Sequence, residues 1–384
     1  MQKLVELDIN PNILVKSTIL KYDKPDYIYI PIPDNATLLV HQKDYICIGS
    51  PIIQIDNKII SSTISGVVKS IKKIKTIHDE VDAIEIQNDF IEKNLLESIT
   101  KRNLNYIKKE NFDKILLSNF NIKMENKNNL ILNCIDDEPY VLTENFNLFN
   151  NYDGFLELLD KFSKIYKLDN VTIAVRSSNS ENINKLISCL GMYPNISLNI
   201  VPNLYLLGRE EFLLKHLNLN SAESIVIKAS EFYNIFNLVK RNRLVSDKLI
   251  TISGDGLVNP LIVKVKIGSK AKDVLKDLIE LKDNVVFIVN GLMQGNPIDI
   301  NNFVITNDIH SILIMKDKKI MEDSKCINCG ACIDICPVNI NPINLNNKRY
   351  RDKVYNKCLK CGLCSYICPV YINFNKVIKG ESNE

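Results

Sequence analysis

Near its C-terminus the chain carries the same cysteine run twice. Cys326, Cys329, Cys332 and Cys336 precede Pro337, and Cys358, Cys361, Cys364 and Cys368 precede Pro369. Each run reads C-x2-C-x2-C-x3-C-P, the ligand spacing of [4Fe-4S] centres. Three thiols in one tight loop hold three corners of a cubane, and the fourth corner needs a ligand from elsewhere. Two runs supply eight thiolates, enough for two clusters. In two-cluster proteins the fourth Cys of one run ligates the other cluster. That rule assigns Cys326, Cys329, Cys332 and Cys368 to one cluster, and Cys358, Cys361, Cys364 and Cys336 to the second. Pro337 and Pro369 turn the chain away and lack an N–H. Gly330 and Gly362 are expected to let backbone approach the sulfurs with no Cβ in the way. A zinc site uses four ligands and would leave half of these thiols unexplained. A disulfide framework needs an oxidising compartment, and the residues from Met1 to Asp8 show no apolar signal core.

Composition narrows the classes further. With 384 residues there is chain for two or three domains. Lys and Arg number 48 against 45 Asp and Glu, a net +3, so no strong attraction to nucleic acid or an anionic surface is expected. No apolar run approaches the ~18–20 residues that span a bilayer. The expectation is a cytoplasmic protein, peripheral on the cytoplasmic membrane face only where partners hold it there. Of the eleven cysteines, Cys47, Cys134 and Cys189 are left over and are expected to be buried small hydrophobes. His41, His78, His216 and His310 show no metal-ligand spacing and no catalytic partner. Ser–His–Asp, P-loop and nucleic-acid signatures are absent, and no catalytic residue is assigned.

Along the chain the hydrophobic period changes. Residues 27–75 alternate short apolar strands with turn signals, such as Tyr27–Ile30 before Pro31 and Tyr45–Ile48 before Gly49, as in a β-sandwich or half-barrel. Ser61–Val68 resembles the hairpin of biotinyl- or lipoyl-like domains but has no carrier lysine at a tip, so it reads as scaffold. From Asn129, strands at 129–132, 171–175 and 198–201 alternate with helices marked by Phe155, Leu158, Leu159, Phe162 and Tyr166, by Ile183, Leu186, Ile187 and Leu190, and by residues 210–217. That alternation predicts a doubly wound α/β layer. Strands at 249–252, 261–265 and 285–289 around a helix at 270–281 predict a small α+β module. The expected division is 1–90 all-β, 91–245 α/β, 246–320 α+β and 321–384 iron–sulfur, with residues 341–355 wrapping the clusters.

The order of these parts resembles the C subunit of the Rnf electron-transport complex, a family related to the NADH-binding flavoprotein subunit of respiratory complex I. Leu132–Tyr140 resembles the family's N-G-x-E-x-E-P-Y segment, and Tyr205–Glu211 its Y-P-x-G-x-E segment. Thr251–Pro260 resembles T-V-x-G-D-x-x-x-x-P, and Gly291–Gly295 is similar to a G-G-P-M-x-G turn. The resemblance covers the chain from about residue 20 to its end. It implies an α/β fold with an all-β N-terminal barrel-sandwich-hybrid-like part, an SLBB-like α+β module and a C-terminal two-cluster ferredoxin-like segment.

One departure stands out. The family's flavin site resembles a loop G-x-G-G-A-x-F-P-T, yet no glycine occurs here between Gly66 and Gly154, and residues 116–124 carry side chains throughout. A second family flavin contact, an Asn, falls at Lys228. In the family the carboxylates matching Asp136 and Glu138 line the NADH/flavin pocket, with Asn133 beside them. Without the glycines they are expected here as a solvated loop ended by Pro139, and Gly208 with Glu210 as a strand–helix turn. The resemblance therefore implies an electron-transfer protein with two [4Fe-4S] clusters and no working FMN or NADH site of its own. Its redox partners would be Rnf-type membrane subunits or a soluble reductase, as with the Rnf-C-like proteins associated with proline reductase. Oxygen-sensitive clusters and an AT-rich composition suit an anaerobe. Two other functions compete: an NADH-oxidising, FMN-dependent dehydrogenase subunit, and a docking module in which the clusters are structural.

Overall fold

A computed structural model describes residues 4–7, 19–56, 58–95, 104–177, 180–317, 325–346 and 354–374. Strand β1 (Ile19–Tyr22) is followed by seven short strands: β2 (Tyr27–Pro31), β3 (Thr37–Leu38), β4 (Tyr45–Ile46), β5 (Pro51–Ile55), β6 (Lys58–Ser61), β7 (Gly66–Lys75) and β8 (Glu80–Asn88). They form an antiparallel four-stranded sheet, β2-β8-β7-β4, and a three-stranded sheet, β3-β5-β6. Alternation along β2 explains the packing. Ile28 and Ile30 join Ile46, Ile52, Ile53 and Ile86 in one core. Tyr29 faces the other way, onto Ile74, Ala83 and Val304. The turn after β6 is tied to a neighbouring module, with Thr63 Oγ1 donating to the Ile267 carbonyl at 2.6 Å.

The central layer contains α1 (Lys109–Phe120), β9 (Asn129–Asn133), α2 (Thr143–Phe149), α3 (Tyr152–Tyr166), β10 (Asn170–Arg176), α4 (Ser180–Leu190), β11 (Ile196–Val201), α5 (Glu210–His216), β12 (Ser224–Lys228) and α6 (Ala229–Arg241). Its sheet is parallel, in the order β11-β10-β9-β12. All five residues of β9 are buried because both faces of the sheet are covered. Leu130 and Leu132 face α1, α3, α4 and α6 through Phe112, Phe155, Phe162, Leu186 and Phe232. Ile131 and Ala174 face α5 together with Met293, Cys361 and Leu363. Phe155 and Phe232 meet edge to face at 5.0 Å, and Gly154 is required beside them, since a Cβ there would lie 2.5 Å from the Phe236 ring. Residues 116–120 end α1, Asn121 closes it in the left-handed region (φ 55), and Leu116 and Met124 are buried. A helix terminus stands at the residues that the resemblance set against the family's glycine loop.

The third layer adds β13 (Asp247–Ser253), β14 (Leu261–Lys266), α7 (Ala271–Leu278), β15 (Val285–Val289), β16 (Asn296–Ile298) and β17 (Ser311–Lys316). Its sheet runs β1-β14-β13-β17-β15-β16, so residues 19–22, expected from their position in the chain to join the all-β part, pair instead in parallel with β14. Ala271, Val274 and Leu275 of α7 pack on Ile250, Val263, Ile312 and Ile314. Among its described residues the C-terminal segment has little regular structure. Its own core gathers Cys332, Cys336, Ile340, Leu345, Val354 and Phe374. Of the stretch expected to wrap the clusters, residues 347–353 lie outside the described residues.

Candidate metal centre

The two cysteine runs have one local geometry. Asn328 and Lys360 take left-handed backbone (φ 56 and 53), as do Gly330 and Gly362 (φ 80 and 77). That turns the Asn328 N–H onto Cys326 Sγ at 3.4 Å and the Lys360 N–H onto Cys358 Sγ at 3.3 Å. Short helical turns follow at Ala331–Asp334 and Leu363–Tyr366. Cys336, Cys358, Cys361 and Cys364 line a single pocket with Val338, Ile340, Leu345 and Leu363. Burial pushes the Cys364 thiol up to about 12, and neighbouring Cys361, Cys358 and Cys336 push in the same direction. Cys332 is raised by burial and then by Cys326, Cys329 and Cys368. Cys336 therefore lies among the cysteines of the second run, and Cys368 near those of the first. The donors suit an iron–sulfur centre: thiols, which bind as thiolates, in an apolar cradle with N–H groups turned to sulfur. The two sets differ in exposure. Cys326 and Cys329 are exposed, whereas Cys336 and Cys361 are buried.

The second run is docked onto the central layer by long-range contacts. Tyr205, buried, donates to the Cys361 carbonyl at 2.7 Å. Arg209, just before α5, donates through Nη1 to the Leu359 carbonyl at 2.7 Å and through Nη2 to Gln294 Oε1 at 2.6 Å. Gln294 Nε2 in turn donates to Glu138 Oε1 at 2.7 Å, and the Met293 N–H to Glu138 Oε2 at 2.7 Å. Gly362 closes the contact, because a Cβ on it would stand 2.2 Å from the Met293 carbonyl oxygen. Gly330 has nothing within 4 Å. The room expected beside the sulfurs is thus, at Gly362, room for the 291–295 turn, and at both positions the left-handed backbone is what calls for glycine.

Above the sheet, β9 and β12 are neighbours, with Lys228 opposite Asn133 at their C-terminal ends. This is where the strand order reverses, the usual ligand crevice of such sheets. A cleft of 530 Å³ opens there, lined by Asp136, Asp137, Glu138, Glu144, Lys228, Glu231, His310 and Ser311 among others. Asp136 and Glu138, expected as a solvated loop, are each only 7% exposed. The reason lies in backbone N–H groups that need acceptors. Asp136 accepts from the N–H groups of Glu144 (2.8 Å) and Asn145 (3.3 Å) at the start of α2. Glu144 accepts from the Ser230 N–H and hydroxyl, both at 2.7 Å, at the start of α6. Burial, with Glu144 nearby, pushes Asp136 up to about 8, and burial lifts Glu138 to about 7. Burial alone would lower the Lys228 ammonium, but Asp137 and then Glu144 hold it above its ordinary value. Lys228 pairs with Asp137, and Gly208 leaves the space for that carboxylate, its Cβ position being 2.2 Å from Asp137 Oδ1. His310, given no role by its sequence context, lines the cleft and is lowered to about 3 by burial. Tyr205, Arg209, Glu144 and Gln294 carry no motif of their own either. Their only signal in the sequence is that three of them stand within the family-like segments.

Duplicated thiol loops in a ferredoxin-like segment, joined to a mixed α/β body, define an iron–sulfur protein. Residues 319–374 match the family model of the 4Fe-4S dicluster domain. Similar proteins include the C subunit of the ion-translocating oxidoreductase complex of Buchnera aphidicola subsp. Acyrthosiphon pisum, 24% identical over 227 residues, covering 56% of this chain and 48% of that one. The corresponding protein of Haemophilus influenzae (strain PittEE) is 21% identical over 356 residues, 82% of this chain and 54% of that one. The C subunit of the Na(+)-translocating ferredoxin:NAD(+) oxidoreductase complex of Acetobacterium woodii is 22% identical over 228 residues, 56% and 52% of the two chains. The chain is thus a relative of the C subunits of the ion-translocating oxidoreductase complexes, the kinship its segments implied. It spans about half the length of these relatives. Among solved structures, an NAD+-reducing [NiFe]-hydrogenase in the H2-reduced state is similar at TM-score 0.45 and 11% identity, over 70% of this chain and 55% of that one. Among the described residues no helix is long and apolar enough to cross a membrane.

Proposed function

We propose that the chain is a two-cluster electron relay, with one [4Fe-4S] centre held by Cys336, Cys358, Cys361 and Cys364 and the other by Cys326, Cys329, Cys332 and Cys368. The observation that carries this reading is the pocket shared by the first four thiols, which joins ligands from both runs. Each centre, when bound, takes up and releases one electron. The protein's part is to fix their places. The buried set sits against the central layer through Tyr205 and Arg209. The set containing Cys326 and Cys329 lies at the surface, where a redox partner makes contact. That partner is a membrane subunit or a soluble reductase, and any membrane association runs through it.

The switch-point residues do not fit a phosphate-bearing cofactor. An anion there would need free N–H groups, and those of Glu144, Asn145, Ser230 and Met293 are engaged by the chain's own carboxylates. Flavin and nicotinamide therefore take no part in the relay. The cleft volume, with Asp136 and Glu138 in its lining, favours an NADH-oxidising function, and the same experiment decides it. Anaerobically reconstituted protein is expected to hold about eight irons and to show two one-electron midpoints. Dithionite should bleach it fully and NADH should not, with or without FMN. Cys336→Ala should remove the midpoint of the buried centre and spare the other. About four irons per chain in the unsubstituted protein, or bleaching by NADH, refutes the proposal.

A further inference from the structure

We infer that Arg209 sets the reduction potential of the centre held by Cys336, Cys358, Cys361 and Cys364; the inference rests on the two-cluster reading above. Leu359, whose carbonyl takes the Nη1 hydrogen bond at 2.7 Å, lies between ligands Cys358 and Cys361, so the guanidinium is fixed against the ligand loop. Its Nη2 is held by Gln294 at 2.6 Å. Both partners are neutral oxygens, a carbonyl and a carboxamide, so these bonds fix the group in place without cancelling its charge. Glu138, one hydrogen bond further on through Gln294, is lifted by burial toward its neutral form. Lys360 in the same loop donates to the Tyr355 hydroxyl at 3.0 Å, and its charge also reaches Cys358.

Reduction places one electron, and so one added negative charge, on the centre, with no bond made or broken in the protein. A fixed cation nearby favours the reduced form and raises the potential, and a half-buried site screens it less than water does. The surface centre has no such contact from Arg209. The guanidinium therefore acts on one potential of the two, making the buried centre more readily reduced than its cysteines alone would.

The test is a dye-mediated redox titration of the reconstituted full chain, followed by electron paramagnetic resonance. In Arg209→Gln the reduced-to-oxidised ratio of one centre at fixed ambient potential should fall about tenfold, a downward shift of about 59 mV for one electron, while the other midpoint stays in place. Arg209→Lys keeps the charge and should stay within about threefold of the parent. Unchanged midpoints in Arg209→Gln overturn the inference. So does an equal fall in Arg209→Lys, an equal shift of both midpoints, or loss of the centre from both variants, since each makes Arg209 an anchor only. Parent protein with fewer than two midpoints instead removes the two-cluster reading, before any variant is compared.

Discussion

Gly330 and Gly362 occupy equivalent places in the two cysteine runs and provide a matched pair. Their φ values are 80 and 77, so replacement by Ala carries the same left-handed backbone cost at each, about 1–2 kcal/mol. The surroundings differ. The added methyl meets nothing within 4 Å at Gly330 and the Met293 carbonyl oxygen at 2.2 Å at Gly362. That carbonyl cannot move away freely, because Met293 is 4% exposed and its N–H is held by Glu138. Relieving the overlap displaces the second run from the 291–295 turn, and overpacking of this kind adds about 1–3 kcal/mol. The expected totals are about 1–2 kcal/mol for Gly330→Ala and about 2–5 kcal/mol for Gly362→Ala. Iron release to excess chelator under anaerobic conditions reports the difference, since a chelator reaches a buried centre through local opening. With tenfold per about 1.4 kcal/mol, Gly362→Ala should speed iron loss from its own centre, relative to the parent, by about five- to a hundredfold more than Gly330→Ala does. Equal accelerations would refute the argument that the second run is seated on this turn.

Three further outcomes follow from the same contacts. Tyr205→Phe leaves the Cys361 carbonyl without its donor, at about 1–3 kcal/mol for a buried acceptor; iron loss should quicken at the buried centre alone, and uniform loss from both would count against the contact. Glu138 is lifted from 4.5 to about 7, so the folded state holds a proton that the unfolded chain has lost. Its contribution is full below about pH 4.5 and disappears as pH rises through 7, on the order of 3 kcal/mol. Asp136, lifted to about 8, acts in the same direction, so Glu138→Gln should make the decline between pH 5 and 8 shallower in denaturant titrations, not abolish it; an unchanged slope would sink the assignment. Lys228→Met strands Asp137 beside Asp136 and Glu144, and should cost about 1–3 kcal/mol, less than a fully buried pair because both partners are partly exposed; an unchanged denaturation midpoint would argue that the pair is idle.

What is legible in the sequence is what depends on neighbours in the chain. The thiol sets follow from spacing, and the helix around Phe155 and Phe162 and the strand at Asn129 follow from periodicity. Asp136 and Glu138 look solvated in the sequence because they sit in an acidic loop beside a proline. Their burial is decided by N–H groups at 144, 145 and 293, and only the fold brings the last of these to the loop. Arg209 reaches a carbonyl 150 residues away, and no local pattern carries that contact. Ile19–Tyr22 pair with β14 for the same reason: their place in the 1–90 part says nothing of a sheet partner more than two hundred residues on.

The missing glycine loop and the buried carboxylates are two sides of one arrangement. Helix starts beside a switch point present unpaired N–H groups and a positive dipole end, which attract an anion. Here Asp136 fills the start of α2 and Glu144 the start of α6. Glu138 does the same for the 291–295 turn, and that turn is the surface against which Gly362 lies. A phosphate entering the cleft would have to displace side chains whose acceptors support the docking of the second cysteine run. Glycines restored to residues 116–124 would therefore leave the N–H groups occupied. Of the carboxylates that line the cleft, Glu138 also holds the turn against which the second cysteine run lies, so an anion that displaced Glu138 would loosen that contact.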